Sequence, residues 1–265
     1  MPATINRDAQ LSTLANISYS DTPPQVVGDW HYLSQSAKSS TGFFAVAYVN
    51  NITKEVVVSY RGTDGLKGDI SADIAFQIGS WNPQFDEAAK FTAEIKSDLR
   101  VAPLLEKNGG YTLLTTGHSL GGGIAQVMGK MFDADGASFD APGASAIVNS
   151  AGYAAAQARY AGDSGGQIGS KFFNYVSQGS AISSVGTHLG QDQSLVNLAD
   201  ASAAPLLVGV LGAMTGGAAL GLLGLGAAAN VLDTHLMAGI ERAMYIAAGL
   251  DRALSDGSLQ MSRVP

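Results

Sequence analysis

The chain has 265 residues, a formal net charge of −7 and no cysteine, and it is 46% hydrophobic but only 14% charged. That length can bury a core needing no staple, and the absence of cysteine excludes disulfides, thiolate catalysis and thiolate metal sites. The acidic balance argues against a nucleic-acid surface, which depends on clustered Lys and Arg, and against charge-driven binding to anionic lipid.

The N-terminal run Met1 to Asp8 lacks the basic and apolar regions of a signal peptide. The compartment therefore stays open between the cytoplasm and secretion by a route without an N-terminal signal. Asp8 to Tyr19 predicts a short helix, with Leu11, Leu14, Ala15 and Ile17 on one side. Gly42–Val49 and Glu55–Arg61 predict a β-hairpin around Asn50-Asn51. Asp86–Leu105 is helical by period, because Phe85, Ala88, Ala89, Phe91, Ile95 and Leu99 recur at three- and four-residue steps. Tyr111–Thr116 predicts a buried strand, Gly121–Phe132 a helix of small residues, and Ala137–Asp140 the next strand. Ala144–Tyr160 then reads as an Ala-rich helix, Lys171–Ser177 as another strand, and Thr234–Leu250 as a closing helix. Strand and helix alternate through the middle of the chain. This predicts one α/β domain over residues 1–265, with a mostly parallel sheet covered by helices on both faces.

Gly117-His118-Ser119-Leu120-Gly121 lies between a predicted strand and a predicted helix. That context gives a G-x-S-x-G pattern its meaning: a tight strand-to-helix turn raises the Ser hydroxyl above the sheet. The following helix points its first amides at the same spot, where developing negative charge is favoured. Ser119 is thus the candidate nucleophile and the Leu120 N–H a candidate oxyanion donor. A serine nucleophile needs a base, and four histidines are available. His31 lies early in the chain, and His118 sits inside the elbow, where adjacent side chains diverge. His188 and His235 both follow the elbow.

Three stretches resemble the class 3 lipase family of α/β-hydrolases: Val56 to Thr63, Thr116 to Gly122, and Val231 to Leu236. They occur in family order, and the resemblance runs from about residue 40 to 245. It implies an α/β-hydrolase fold and a serine-dependent ester hydrolase acting on lipid esters, triacylglycerol or phospholipid, with no cofactor. It also implies Thr63 as the second oxyanion donor, although Gly62-Thr63 read alone is only a strand-ending turn. His235, in Asp233-Thr234-His235-Leu236, is similar to the family's base-bearing Asp-His-Leu, and His188 falls in a segment that lines the site. Ser180 stands where the family carries its acid. A serine cannot hold the charge that stabilises an imidazolium. Three alternatives stay open: Asp140, in a turn similar to that of pancreatic-type lipases; Asp192, in the loop after His188; or a dyad without a carboxylate. A protein that binds lipid or membrane with a degraded triad is the rival function, and a membrane-inserting toxin is a third.

Ala201 to Leu232 contains no charged residue. The run has the length of a membrane span, but its dense glycines weaken an isolated helix. It reads as an apolar lid or hairpin that opens at a lipid–water interface, or as a buried Ala/Gly helical pair. Asp64, Asp69 and Asp73 do not have the spacing of a calcium loop, and no metal is assigned.

Overall fold

The computed structural model describes residues 2–63, 79–162, 166–177, 180–195 and 237–255. Asp64, Asp69, Asp73, His235 and the uncharged run 201–232 lie outside the described residues.

Eight strands form one sheet in strict chain order. They are β1 (Val26–Val27), β2 (Trp30–Gln35), β3 (Ala45–Asn50), β4 (Glu55–Tyr60), β5 (Thr112–His118), β6 (Asp135–Phe139), β7 (Phe172–Ser177) and β8 (Gln191–Leu195). From β1 to β4 the pairings are antiparallel. From β4 to β8 they are all parallel. Among the described residues the α-helices are α1 (Pro2–Ile17), α2 (Pro83–Ser97), α3 (Ala102–Leu105), α4 (Leu120–Met131), α5 (Ala151–Tyr160) and α6 (Met237–Ser255). This is the α/β architecture expected from the alternating pattern.

Because the parallel strands step in one direction, right-handed crossovers lay the described connecting helices on the same face. Phe85, Phe91 and Ile95 of α2, Ile124 and Met128 of α4, and Tyr153 of α5 accordingly share a core with Val56, Val58 and Tyr60 of β4. The other face is filled from the two ends of the described chain. Leu11 and Leu14 of α1 and Ile240 and Met244 of α6 pack on Val46, Tyr48, Val57, Leu114 and Phe139. Alternate residues of β4 therefore enter different cores, as the period-2 geometry of a strand requires.

The predicted hairpin is present, with Ala45 opposite Tyr60. Its joint is longer than Asn50-Asn51. The Asn50 side chain accepts from the amides of Ile52 (2.9 Å) and Thr53 (3.1 Å), which builds the turn. Several helices differ from expectation: the first begins at Pro2, six residues before the predicted Asp8, and ends at Ile17, and the closing one reaches Ser255. The one predicted over 86–105 starts earlier, at Pro83 behind an Asn82 cap, and ends at Ser97. Asp98 then accepts from the Arg100 amide at 2.8 Å and turns the chain before Pro103. The Ala-rich helix predicted from Ala144 begins only at Ala151, with Ser150 as its cap. The amides of Gly143 and Ser145 are instead committed to the carbonyls of Val185 and Thr187.

Asp8 is a charged residue on the apolar α1 face, fully buried. Arg7 Nε donates to it at 2.8 Å and the Tyr175 hydroxyl at 2.9 Å. Burial outweighs the Arg7 charge and pushes the Asp8 carboxyl up to about 6.

Candidate active site

Ser119 leaves β5 with φ 56° and ψ −131° and caps the N-terminus of α4. A non-glycine residue in that region costs on the order of 1–3 kcal/mol and persists only where its surroundings enforce it. Here the enforcement is visible. The Ser119 amide donates to the Phe139 carbonyl at 3.0 Å, while the Ser119 carbonyl accepts from Gly122 (2.9 Å) and Gly123 (3.1 Å). Gly117 and Gly121 let the elbow close. A Cβ on Gly117 would lie 2.8 Å from the Tyr60 carbonyl oxygen, and one on Gly121 would lie 2.7 Å from the Arg61 carbonyl carbon. The amide of Leu120 is the first of α4 and has no intrahelical acceptor.

His118 pairs in register with Phe139. The next residue on each strand, Ser119 and Asp140, therefore leaves the sheet at the same level, at the carboxyl ends of adjacent parallel strands. That end is where open α/β sheets place their ligands. Asp140 also has positive φ, 42°, and is fully buried. Its carboxylate accepts from the Ser177 amide at 3.2 Å and from the Ser180 hydroxyl at 2.8 Å. Ser180 thus serves as a donor to a carboxylate one strand away. Ser180 is itself pinned, accepting from the Ile182 amide at 3.2 Å.

The turn after β4 closes the other side. Tyr60 is opposite Gly117, so Arg61, Gly62 and Thr63 emerge beside the elbow. A Cβ on Gly62 would lie 3.2 Å from the Ser119 Cβ and 2.6 Å from the His118 carbonyl oxygen. The Thr63 hydroxyl is buried, with no hydrogen-bond partner among the described residues.

Three histidines lie among the described residues. His31 lies exposed on β2. His118 Nδ1 shares a hydrogen bond of 2.8 Å with the Tyr19 hydroxyl. His188 bridges two segments: its Nε2 is 2.9 Å from the Ala141 carbonyl oxygen and its Nδ1 3.1 Å from Asp192 Oδ1. Asp192 also accepts from Asn174 Nδ2 at 3.1 Å, and its side chain is 60% exposed. Of the two candidate acids, Asp140 is the buried one, level with Ser119. Asp192 belongs to the His188 bridge. The sequence carries no signal for Tyr19 or Gln126. The Gln126 side chain donates to the Pro142 carbonyl (2.9 Å) and accepts from the amides of Ala144 (3.3 Å) and Leu189 (2.9 Å), tying the loop after Asp140 to α4.

The family model of the Tle-like phospholipase domain matches residues 12–252. The chain belongs to this phospholipase-like family. The match takes in the Arg61–Thr63 turn, the elbow, Asp140 and His235, so all of these residues fall within one family domain. Among solved structures, the Lip2 lipase of Yarrowia lipolytica is 16% identical with a TM-score of 0.46, over 73% of this chain and 79% of that one. A triacylglycerol lipase of Penicillium expansum is also 16% identical, with a TM-score of 0.49 over 74% and 81%. A third, a triacylglycerol lipase described as having a serine protease triad at its catalytic centre, is 14% identical with a TM-score of 0.48 over 72% and 80%. No curated protein matches.

Proposed function

We propose that this chain hydrolyses carboxylic esters of lipids, phospholipids foremost, through an acyl-enzyme on Ser119. The observation that carries this reading is the strained Ser119, level with the buried Asp140 and flanked by Gly62-Thr63. Membership in a phospholipase-like family supports the lipid substrate.

In this mechanism the Ser119 hydroxyl attacks the acyl carbonyl while His235 takes its proton. The amides of Leu120 and Thr63 hold the oxyanion, and the Thr63 hydroxyl turns towards it. His235 returns the proton to the leaving alcohol. Water, deprotonated by the same histidine, then releases the fatty acid. Asp140 stabilises the imidazolium at each stage. The chemistry needs no cofactor. Residues 1–265 act as one catalytic unit in this reading.

The test is release of fatty acid from phosphatidylcholine vesicles together with labelling by a fluorophosphonate. Wild type should turn over and label, whereas Ser119→Ala and His235→Ala should do neither. Asp140→Asn should lose several orders of magnitude in turnover and Asp192→Asn should not. Undiminished turnover by Ser119→Ala overturns the reading, and loss in Asp192→Asn alone moves the acid to that residue.

A further inference from the structure

The segment that follows α1 is wrapped around the two turns that define the site. Arg61 Nε donates to the Ser18 carbonyl at 2.7 Å, and its terminal nitrogen pairs with Asp21 at 3.0 Å. The Arg61 guanidinium also lies 4.2 Å above the Phe44 ring. It holds the exposed Asp21 carboxyl below the usual carboxylate range. Tyr19 sits between these contacts. Its hydroxyl pairs with His118 Nδ1 at 2.8 Å, and its ring lies 5.9 Å from the imidazole at a 60° tilt. A Cβ on Gly62 would strike this hydroxyl and would also meet the Ser119 Cβ at 3.2 Å. Tyr19, Gly62 and Ser119 therefore converge on one point.

This arrangement meets a specific need. The two oxyanion amides come from different places: Leu120 is fixed by α4, whereas Thr63 lies on a turn that has just left β4. Their separation must be set to a fraction of an ångström for both to reach one oxygen. The two turns abut through Gly62 and the His118 carbonyl, and Tyr19 touches both of them.

We propose that Tyr19 is a positioning residue, whose hydrogen bond to His118 fixes the oxyanion turn Gly62-Thr63 against the elbow. The inference rests on the serine-esterase reading above. It gives His118 the task of anchoring Tyr19. It also gives the segment after α1, far from the reacting atoms in sequence, a part in kcat. Arg61 holds the backbone of that segment, and Tyr19 transmits its position.

The experiment compares Tyr19→Phe, His118→Leu, His118→Gln and the double variant Tyr19→Phe/His118→Leu. Readouts are kcat and KM on a soluble short-chain ester, fluorophosphonate labelling rate and thermal midpoint. Phe keeps the ring and removes the hydroxyl that bridges to His118. Tyr19→Phe should lose roughly tenfold to a hundredfold in kcat and in labelling rate, with KM and midpoint near wild type. His118→Leu should match it, and the double variant should be no worse than either single one. His118→Gln, whose amide can still meet the phenol, should recover most of the activity. Wild-type kcat in Tyr19→Phe overturns the proposal. So does loss of kcat in step with loss of folding, which would make Tyr19 plain packing, and so does multiplicative loss in the double variant. Ser119→Ala, run alongside, keeps the two claims apart: its retained activity removes the esterase mechanism, whereas inactive Ser119→Ala with unaffected Tyr19→Phe removes only the positioning role.

Discussion

Asp8→Asn should stabilise the protein at neutral pH and leave it unchanged in acid. Asp8 is fully buried against an apolar face, and its carboxyl is raised from 3.8 to about 6. That gap, at roughly 1.4 kcal/mol per pH unit, corresponds to about 3 kcal/mol. The sign follows from which state ionises first. Below 3.8 both the folded and unfolded chains hold the proton, and burial of the carboxyl carries no charge penalty. Between 3.8 and about 6 the unfolded chain loses its proton while the folded chain keeps it, so stability falls as pH rises. Above about 6 the whole penalty of about 3 kcal/mol is present. Asn cannot ionise and still offers an oxygen to the Tyr175 hydroxyl. Urea denaturation of both proteins at pH 4 and at pH 7.5 checks this. The difference should move by about 2–3 kcal/mol in favour of Asn across that interval. A difference independent of pH, or one that moves towards the wild type, would show that the Arg7 ion pair outweighs burial and would refute the reasoning.

Three further predictions concern the site. Thr63→Val removes a buried hydroxyl that has no partner among the described residues; chemical denaturation should show stability unchanged or raised by about 1 kcal/mol, while kcat falls at least roughly tenfold. Gly62→Ala places a methyl against Tyr19, the His118 carbonyl and Ser119, and should cost on the order of a hundredfold in kcat at little change in KM, read from initial rates. Ser180→Ala deletes the 2.8 Å hydrogen bond to the Asp140 carboxylate and should destabilise the fold by about 2 kcal/mol, measured by thermal or urea unfolding.

Much of the parallel half of the sheet was legible because its strands are buried on both faces. Val56-Val57-Val58 and Leu113-Leu114 are apolar without interruption, as such strands must be. The elbow was equally plain, since its glycines are demanded by contacts a Cβ would violate. The edges were not legible. Strand β8 reads Gln-Asp-Gln-Ser-Leu and is exposed at all but its last residue, and β1 is two residues long. Their pairing is dictated by neighbours, not by any local pattern. The Ala-rich stretch after Pro142 shows the opposite failure: helix propensity is high there, but tertiary bonds from Val185 and Thr187 claim the amides first. In the site, Asp140 was visible as an acid before a proline. Its link to Ser180 joins residues forty apart, and no spacing announces it. Tyr19 was hidden for the same reason, because its role depends on a contact 99 residues along the chain.

The stepwise strand order has a consequence for how the molecule is made. The crossover helices cover their side of the sheet as synthesis proceeds, but the opposite side waits for its second lid, α6. Among the described residues, α1 is the one helix besides α6 that packs on Val46, Tyr48, Leu114 and Phe139, so that side stays half covered until residues beyond Met237 emerge. A nascent or truncated chain would present a half-bare apolar wall to its surroundings.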